Sequence, residues 1–252
     1  MERSRREFLK LSGLSVLGLA LLPTAGVLTL GATTRAADPA ARGKKLGMVV
    51  DARKCNGCQD CVKACHFAHN VPTIQNPEEE VKWIWTETYD ATFPGQQHEY
   101  LPADLKDKPF MVMCNHCEHP ACVRVCPTQA TYQNQDGIIM MDYHRCIGCR
   151  YCMAACPFGA RSFNFQDPRP HIPQVNPAYP TREKGVVEKC NFCAERVAAG
   201  GVPACVTACR SGALAFGDLN DPDSGVRKLL GSAHAIRRKP ELGTEPKVYY
   251  LA

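Results

Sequence analysis

The chain has 252 residues, of which 16 are cysteines and 8% are aromatic, and this length allows one or two compact domains. Its formal net charge of +5 does not indicate a nucleic-acid partner. Five basic and two acidic residues lie in the first 36 positions, so the remainder carries only +2.

The N-terminal segment has the pattern of an export signal. Residues 4–10 have the sequence Ser-Arg-Arg-Glu-Phe-Leu-Lys, and an uncharged, moderately apolar stretch follows as far as Thr34. This order is typical of a twin-arginine signal peptide with a cleavage site near Ala36 and Ala37, and we assign residues 1–36 to it. An uncleaved signal anchor is the alternative, since the stretch is long enough to span a bilayer. We predict a periplasmic protein that associates with the membrane through a partner.

Two cysteine runs share one spacing. Each follows a short apolar stretch that is typical of a strand, Met48 to Val50 and Ile138 to Met141. Run one contains Cys55, Cys58, Cys61 and Cys65, and run three contains Cys146, Cys149, Cys152 and Cys156. The spacing C-x2-C-x2-C-x3-C is that of bacterial ferredoxins, in which the fourth cysteine binds the neighbouring cluster.

Two further runs are looser versions of this pattern. Run two contains Cys114, Cys117, Cys122 and Cys126, and run four contains Cys190, Cys193, Cys205 and Cys209. Sixteen thiolates at four per cluster predict four [4Fe–4S] clusters, with no cysteine left over.

Disulfides and zinc are the competing explanations for the cysteines. Disulfides between such close cysteines would close only small loops and stabilise little. Zinc prefers four-cysteine sites built from two distant C-x2-C pairs, a pattern that runs two and four could supply but runs one and three do not. A zinc-stapled interaction module therefore remains the alternative from a different functional class.

The chain also repeats itself. Residues 50–58 align with 141–149, and residues 120–126 align with 203–209. We predict an α+β fold of two pseudo-symmetric ferredoxin-like domains, each binding two clusters. One consists of residues 46–65 plus 186–217 and the other of residues 111–165.

Segments outside the runs carry no obvious chemistry. We expect an insertion at 66–110, a Pro-rich extended surface loop at 166–185 and a tail at 218–252 that ends in a strand over 248–251. Because each nearby run is already complete, we predict that the adjacent histidines are not metal ligands; they are His66, His69, His116 and His119.

The four runs and the tail Leu-Gly-Thr-x-Pro-x-Val-Tyr-Tyr resemble the iron–sulfur subunits of membrane-bound oxidoreductases, which include dimethyl sulfoxide, polysulfide and tetrathionate reductases. Within this family the chain is most similar to the DsrO group, the exported subunits of DsrMKJOP complexes. The segments that carry this closer resemblance are residues 69–72, 144–149, 185–193 and 237–243.

The family resemblance implies ligand sets that cross between runs. Cys55, Cys58 and Cys61 would pair with Cys209, and Cys190, Cys193 and Cys205 with Cys65. Cys114, Cys117 and Cys122 would pair with Cys156, and Cys146, Cys149 and Cys152 with Cys126.

The resemblance also implies a function. We expect an electron-transfer subunit of dissimilatory sulfur metabolism, between a polytopic quinone-interacting membrane subunit and another redox subunit, with a multihaem cytochrome c among the further partners. We predict no catalytic residues, since the chain has no nicotinamide fingerprint, haem-attachment motif or leftover nucleophile with a base. The same role in a molybdenum reductase or hydrogenase complex is the alternative.

Overall fold

The computed structural model describes residues 43–251, so the signal peptide predicted for residues 1–36 lies outside the described range. This part of the chain mixes short helices and strands, as an α+β fold requires. Its strands are β1 (Leu46–Asp51), β2 (Ile84–Glu87), β3 (Phe110–Met113), β4 (Thr131–Gln133), β5 (Ile139–Met141), β6 (Ser162–Phe163), β7 (Val187–Glu188), β8 (Leu214–Asp218), β9 (Ala235–Ile236) and β10 (Val248–Leu251). Its helices are α1 (Asp60–Ala68), α2 (Tyr89–Thr92), α3 (Ala103–Lys106), α4 (Ala121–Arg124), α5 (Tyr151–Ala154), α6 (Ala194–Ala198), α7 (Ala204–Ala208) and α8 (Gly225–Ser232). Short 3-10 helices lie at Pro77–Glu79, Arg169–His171 and Pro240–Leu242.

A four-stranded sheet with the order β8-β1-β10-β9 lies beside the first cysteine run. All six residues of β1 are buried. Antiparallel β8 and parallel β10 pair with its edges, while Met48 and Val50 pack in the main core on one face and Val49 packs in a separate apolar cluster on the other. A continuous apolar run is what a strand covered on both faces needs. The strand predicted for 248–251 is confirmed as β10, and it joins the tail to the sheet.

The amphipathic helix α8 covers part of this sheet. Ser224 caps its N-terminus by accepting a hydrogen bond from the backbone N–H of Arg227. Val226 then packs with Val49, Leu219 and Leu251 in a small apolar cluster that contains no cysteine. This cluster gives the sheet a source of stability that does not depend on metal.

The 66–110 segment belongs to the main core. Trp83 is buried, and β2 pairs antiparallel with β3 so that Trp85 lies opposite Val112. Phe93 and Phe110 pack edge to face, with ring centroids 5.4 Å apart. The predicted insertion therefore helps to build the protein interior.

The Pro-rich segment 166–185 has little regular structure, as expected, but it is not wholly at the surface. Arg182 is buried and forms an ion pair with Glu188, with an N···O distance of 2.6 Å. The indole Nε1–H of Trp83 donates to the same carboxylate at 2.9 Å. This network fixes the end of the loop against the 66–110 segment.

The predicted division into two ferredoxin-like domains stays a prediction. The ribbon of β6 and β7 joins residues that we assigned to different domains, and one apolar core includes residues of both. Two further ribbons pair β2 with β3 and β4 with β5. Within residues 43–251, no helix is both long and apolar enough to span a membrane.

Candidate metal centres

Runs one and three form loops that lead into helices. α1 begins one residue before Cys61, and α5 begins one residue before Cys152. The same two positions of both loops have positive φ angles: Gly57 (74°), Gln59 (60°), Gly148 (70°) and Arg150 (62°). Left-handed residues in such a turn direct successive backbone N–H groups into one concavity, which favours an anionic group.

The fourth cysteine of run one lies beyond its loop. Cys65 follows Cys61 by four residues on α1, which is about 6 Å along the helix axis. This displacement carries Cys65 to a second group of cysteines while Cys61 stays with the loop.

The structure brings the sixteen cysteines together in four groups, which we call sites A to D. Cys55, Cys58, Cys61 and Cys209 line one cavity, site A. Cys65 lies beside Cys190, Cys193 and Cys205, which together make site B. Cys114, Cys117, Cys122 and Cys156 line site C. Cys126, Cys146, Cys149 and Cys152 line site D.

The sites follow one another in a row. Cys61 of site A neighbours Cys65 and Cys205 of site B. Cys190 of site B neighbours Cys114 of site C. Cys122 of site C in turn neighbours Cys152 of site D. The order along the molecule is therefore A, B, C, D.

Burial, followed by crowding, makes several of the metal-free thiols poor acids. Burial raises the pKa of Cys61 to about 11 and that of Cys117 to about 12, and neighbouring thiolates of the same site add to both shifts. The pKa of Cys65 lies well above its ordinary value for the same reasons. Four thiolates in such a site need a cationic group among them, and the iron of a cluster would supply it.

Hydrogen-bond donors surround the sulfur atoms. Backbone N–H groups point at Cys193 Sγ from Ala204 (3.3 Å), at Cys190 Sγ from Phe192 (3.4 Å) and at Cys126 Sγ from Thr131 (3.5 Å). Two side-chain groups that line site C, Arg161 Nη2 and Thr244 Oγ1, are buried without a hydrogen-bond partner within the described part of the chain. Such unused donors fit a sulfur-rich anionic cluster.

Site C lies among three buried cations. Burial lowers the pKa of Lys189 and Lys247. At Lys189 nearby thiolates, first that of Cys114, oppose this shift; at Lys247 the carboxylate of Glu118 opposes it most, and the thiolates of Cys117 and Cys114 add to that effect. Burial alone would also lower the pKa of Arg161, but the thiolates of Cys122, Cys152 and Cys114 raise it above its ordinary value.

Burial and the same three cations lower the pKa of the nearby His116. It is fully buried against the ring of Phe192, with centroids 3.7 Å apart, and its Nδ1 accepts the backbone N–H of Ile139. Burial and repulsion by Lys189, Lys247 and Arg161 hold its pKa well below the ordinary value. His116 is therefore neutral.

Site B has a histidine–carboxylate pair. His69 stacks on Trp83, and its Nε2 lies 3.0 Å from Glu195 Oε1. Burial lowers the pKa of His69, but hydrogen bonds to Cys193 and Glu195 outweigh it and raise the pKa to about 9. The atoms of His69, Cys193 and Glu195 come within 4.8 Å of one another, although Cys193 already belongs to the site B quartet.

The two end sites reach the surface. Cys58 of site A and Cys149 of site D are exposed, whereas site B is lined by buried cysteines. The loop of site D also presents Ile147 and Tyr151, which are 66% and 63% exposed. Each end of the row therefore lies where another protein can approach it.

The buried cations Arg161, Lys189 and Lys247 were not predicted from the sequence. Lys189 directly precedes Cys190, and a lysine so close to a ligand run could have been noticed. Arg161 and Lys247 gave no such signal, because they lie in ordinary strand-flanking segments and reach site C only through the fold.

Comparison with known proteins gives two matches to one family model, described as a 4Fe–4S dicluster domain, at residues 108–172 and 171–219. Two dicluster matches and sixteen cysteines correspond to four [4Fe–4S] clusters. They favour iron–sulfur clusters over the zinc alternative.

Three relatives are similar along most of their length. The Hdr-like menaquinol oxidoreductase iron–sulfur subunit 1 of Archaeoglobus fulgidus is 37% identical over 98% of this chain and 97% of the relative. The menaquinone reductase iron–sulfur cluster-binding subunit of Nitratidesulfovibrio vulgaris is 38% identical over 82% and 89%. A polysulfide reductase chain from Wolinella succinogenes is 37% identical over 82% and 94%.

Proposed function

We propose that this chain, which belongs to the family of iron–sulfur electron-transfer subunits, passes single electrons along its row of sites between two docked redox partners. The observation that carries the proposal is the row itself. Each site neighbours the next through at least one pair of cysteines, and each end has one exposed cysteine.

The cysteine quartets of sites A to D would be the ligand sets of four [4Fe–4S] clusters. Every quartet takes three cysteines from one run and one from another, which supports the ferredoxin-like pattern of ligand sharing. On this basis sites A and B form one ferredoxin-like module, and sites C and D form the other.

The clusters supply one-electron redox chemistry when bound, and the chain does the rest. The loops position the thiolates, and backbone N–H groups such as those of Ala204 and Phe192 stabilise charge on sulfur. Apolar side chains of the main core pack around Cys65, Cys190 and Cys205 of site B and around Cys114 of site C, and they keep water away from these sulfur atoms. We assign no bond-making or bond-breaking role to any residue.

We infer that the site D end faces a membrane-embedded, quinone-interacting partner. The relatives from Archaeoglobus and Nitratidesulfovibrio carry menaquinol or menaquinone in their names. In this chain the site D loop exposes Ile147 and Tyr151, where the equivalent positions of the site A loop are Asn56 and Asp60. Exposed apolar side chains beside an electron exit suit a tightly packed, permanent interface, and the polar site A end suits a second redox subunit.

We further propose a periplasmic location after twin-arginine export. The Arg5-Arg6 pair and the apolar stretch that follows it support this route, which carries folded proteins. Clusters built in the cytoplasm would need such a route. The sulfur-metabolism role is supported by the polysulfide reductase relative, and the multihaem cytochrome c partner rests on the DsrO resemblance alone.

Anaerobic purification of the tagged protein from its native membranes, followed by mass spectrometry of the associated proteins, tests the function. We expect brown protein with broad visible absorption that dithionite bleaches, together with a polytopic quinone-interacting subunit. Molybdopterin or hydrogenase subunits would move the same electron-transfer role to another complex. Colourless protein recovered alone would overturn the proposal.

Exchange variants test the orientation. Ile147→Asn with Tyr151→Asp gives the site D loop the residues of site A, and we expect at least a tenfold loss of the membrane subunit during purification. Burial of each apolar side chain is worth about 1.5–3 kcal/mol, and about 1.4 kcal/mol corresponds to tenfold. The matched control, Val175→Asn with Tyr100→Asp, makes the same kinds of change at exposed positions away from the loop and should retain the partner. Equal retention by both double variants would contradict the orientation.

A further inference from the structure

We propose that Arg161, Lys189 and Lys247 give site C the most positive reduction potential of the four sites, so that the first electron to enter the row rests there. This inference depends on the proposed ligand sets, and it goes further by ranking the sites. The three residues would not bind the cluster; their positive charges would change its reduction potential from nearby.

The hydrogen bonds of the three cations go to neutral acceptors. Lys189 Nζ donates to the carbonyl oxygens of Ile139 and Cys190, and Lys247 Nζ donates to that of Gly137. Arg161 Nη1 donates to Thr131 Oγ1 at 3.1 Å, and its Nη2 has no protein partner within residues 43–251. These bonds fix the positions of the charges without neutralising them.

One carboxylate comes near, and it lies on the solvent side. Glu118 Oε2 is 3.8 Å from Lys247 Nζ but closer, at 3.5 Å, to the half-exposed Lys45. Arg161, Lys189 and Lys247 are themselves 5%, 1% and 1% exposed. Site C therefore keeps a net positive surrounding in a region of low dielectric constant.

Site C is the place where the three charges overlap. Lys247 lies beside Cys117 and Cys114, which both belong to site C. Lys189 lies beside Cys114 and Cys122 but also beside Cys190 of site B. Arg161 lies beside Cys122 and Cys114 but also beside Cys152 of site D.

The other sites lack such an excess. At site A, Arg53 and Lys54 are exposed and pair with Asp51. At site B, the charge of His69 is balanced by Glu195 at 3.0 Å, which leaves the shared Lys189 as its buried cation within the described chain. At site D, Arg145 pairs with Asp142 and Arg150 is exposed, which leaves the shared Arg161 as its buried cation within the described chain.

The difference in charge between the sites affects how easily each cluster is reduced. A cubane with four thiolates gains one negative charge when it accepts one electron from an external donor, and no proton or bond needs to change. A fixed buried cation stabilises the reduced form more than the oxidised form. An exposed cation has a much weaker effect because water and salt screen it.

Redox titration of anaerobically purified, fully loaded protein, followed by electron paramagnetic resonance, tests the inference. In Lys247→Met we expect the midpoint of the first-reduced centre to move to a lower potential while the others stay close to wild type. Lys189→Met should lower that same centre and, to a smaller extent, the site B centre. Arg161→Met should lower it together with the site D centre. One centre shifted in all three variants identifies site C.

Charge-keeping and exposed-charge variants serve as controls. Lys247→Arg and Lys189→Arg should restore the wild-type midpoint, which a purely structural role would not predict. Lys54→Met removes an exposed lysine near site A and should leave the first-reduced centre unchanged. Iron content is measured in parallel; about sixteen iron atoms per chain separate a failure of the ligand sets from a failure of the ranking.

Paramagnetic broadening of the wild-type signals tests the same inference without relying on a variant that must fold and bind its clusters. A soluble dysprosium complex should broaden the signals of the end sites, which have exposed cysteines, far more than that of an inner site. We expect the first-reduced signal to be protected. A first-reduced centre that is strongly broadened, or one whose midpoint is unmoved in a fully loaded Lys247→Met variant, would overturn the inference.

Discussion

The two ends of the row have the same loop and different surfaces. Site A and site D repeat the cysteine spacing and the two left-handed positions, with glycine φ angles of 74° and 70°. The residues that point outward differ, since Asn56 in the first loop corresponds to the exposed Ile147 in the second. The internal repeat therefore keeps what a cluster needs and varies what a partner would contact.

The secondary structure that flanks the two end sites also differs. Site A touches the four-stranded sheet through Leu214 of β8 as well as the ribbon β2–β3, whereas site D is flanked by the two-stranded ribbons β4–β5 and β6–β7 alone among the strands. Isolated two-stranded ribbons are marginal in water. We infer that the site D end depends more on its cluster for stability than the site A end does.

Removal of iron should have the largest effect. Chelation of the iron from oxidised protein should abolish the cooperative unfolding transition, because metal binding free energy is also folding free energy. Hydrogen exchange should show more residual protection in β1 and β8 than in β4 and β5. Equal loss of protection in both regions would contradict the greater dependence of the site D end on its cluster. A native near-ultraviolet circular dichroism spectrum of the apoprotein would contradict the stabilising role of the clusters.

Arg182→Met should have the next largest effect. The substitution leaves the fully buried carboxylate of Glu188, which belongs to β7 near the site D end, without its cation. Breaking a buried ion pair in this way costs about 3–5 kcal/mol. Denaturant unfolding measures it, with Arg169→Met as the control. Arg169 pairs with Asp167 at the surface of the same Pro-rich segment, where water and salt screen the pair, so its loss should change the stability far less.

Alanine substitution of Gly57 and of Gly148 compares the stability of the site A and site D loops directly. Either substitution puts a Cβ on a left-handed residue, which costs about 1–2 kcal/mol. At Gly148 the new Cβ would also lie 2.5 Å from the carbonyl oxygen of Gly185, whereas at Gly57 it would lie 2.7 Å from Pro109 Cγ. Because backbone yields less readily than a side chain, Gly148→Ala should lower the thermal midpoint more.

A helix glycine provides the control for this pair. Gly231 lies in α8 with open space around it, so Gly231→Ala should be neutral or stabilise the protein by up to about 1 kcal/mol. A lower thermal midpoint for Gly57→Ala than for Gly148→Ala would contradict the argument from close contacts.

Arg210→Ala should have the smallest effect. Arg210 follows the last cysteine of site A and lies 3.6 Å from Asp60, but its side chain is almost fully exposed. Exposed pairs of this kind contribute about 0–1 kcal/mol. The free energy of unfolding should therefore stay within that range of wild type, and a larger loss would show that the site A surface is part of the stabilising structure.

The cysteine spacing was enough to predict the chemistry of this protein. Sixteen cysteines in four repeated runs predicted the number and type of clusters, because thiolate spacing is set by the size of a cubane. The strands at 46–51, 139–141 and 248–251 were also predictable, since each is a short apolar run with clear boundaries. The quartets implied by the family resemblance are also the groups that lie together in space.

The surroundings of each site depend on contacts between distant parts of the chain. Trp83 looked like part of an insertion, yet it packs in the core and donates to Glu188, which is 105 positions away. Arg161, Lys189 and Lys247 come from three separate segments, and only Lys189, which directly precedes Cys190, has a cysteine run beside it in the sequence. The physical reason is one of range: ligand spacing is a local property of the chain, whereas the charge around a buried site is a sum over residues that only the fold brings together.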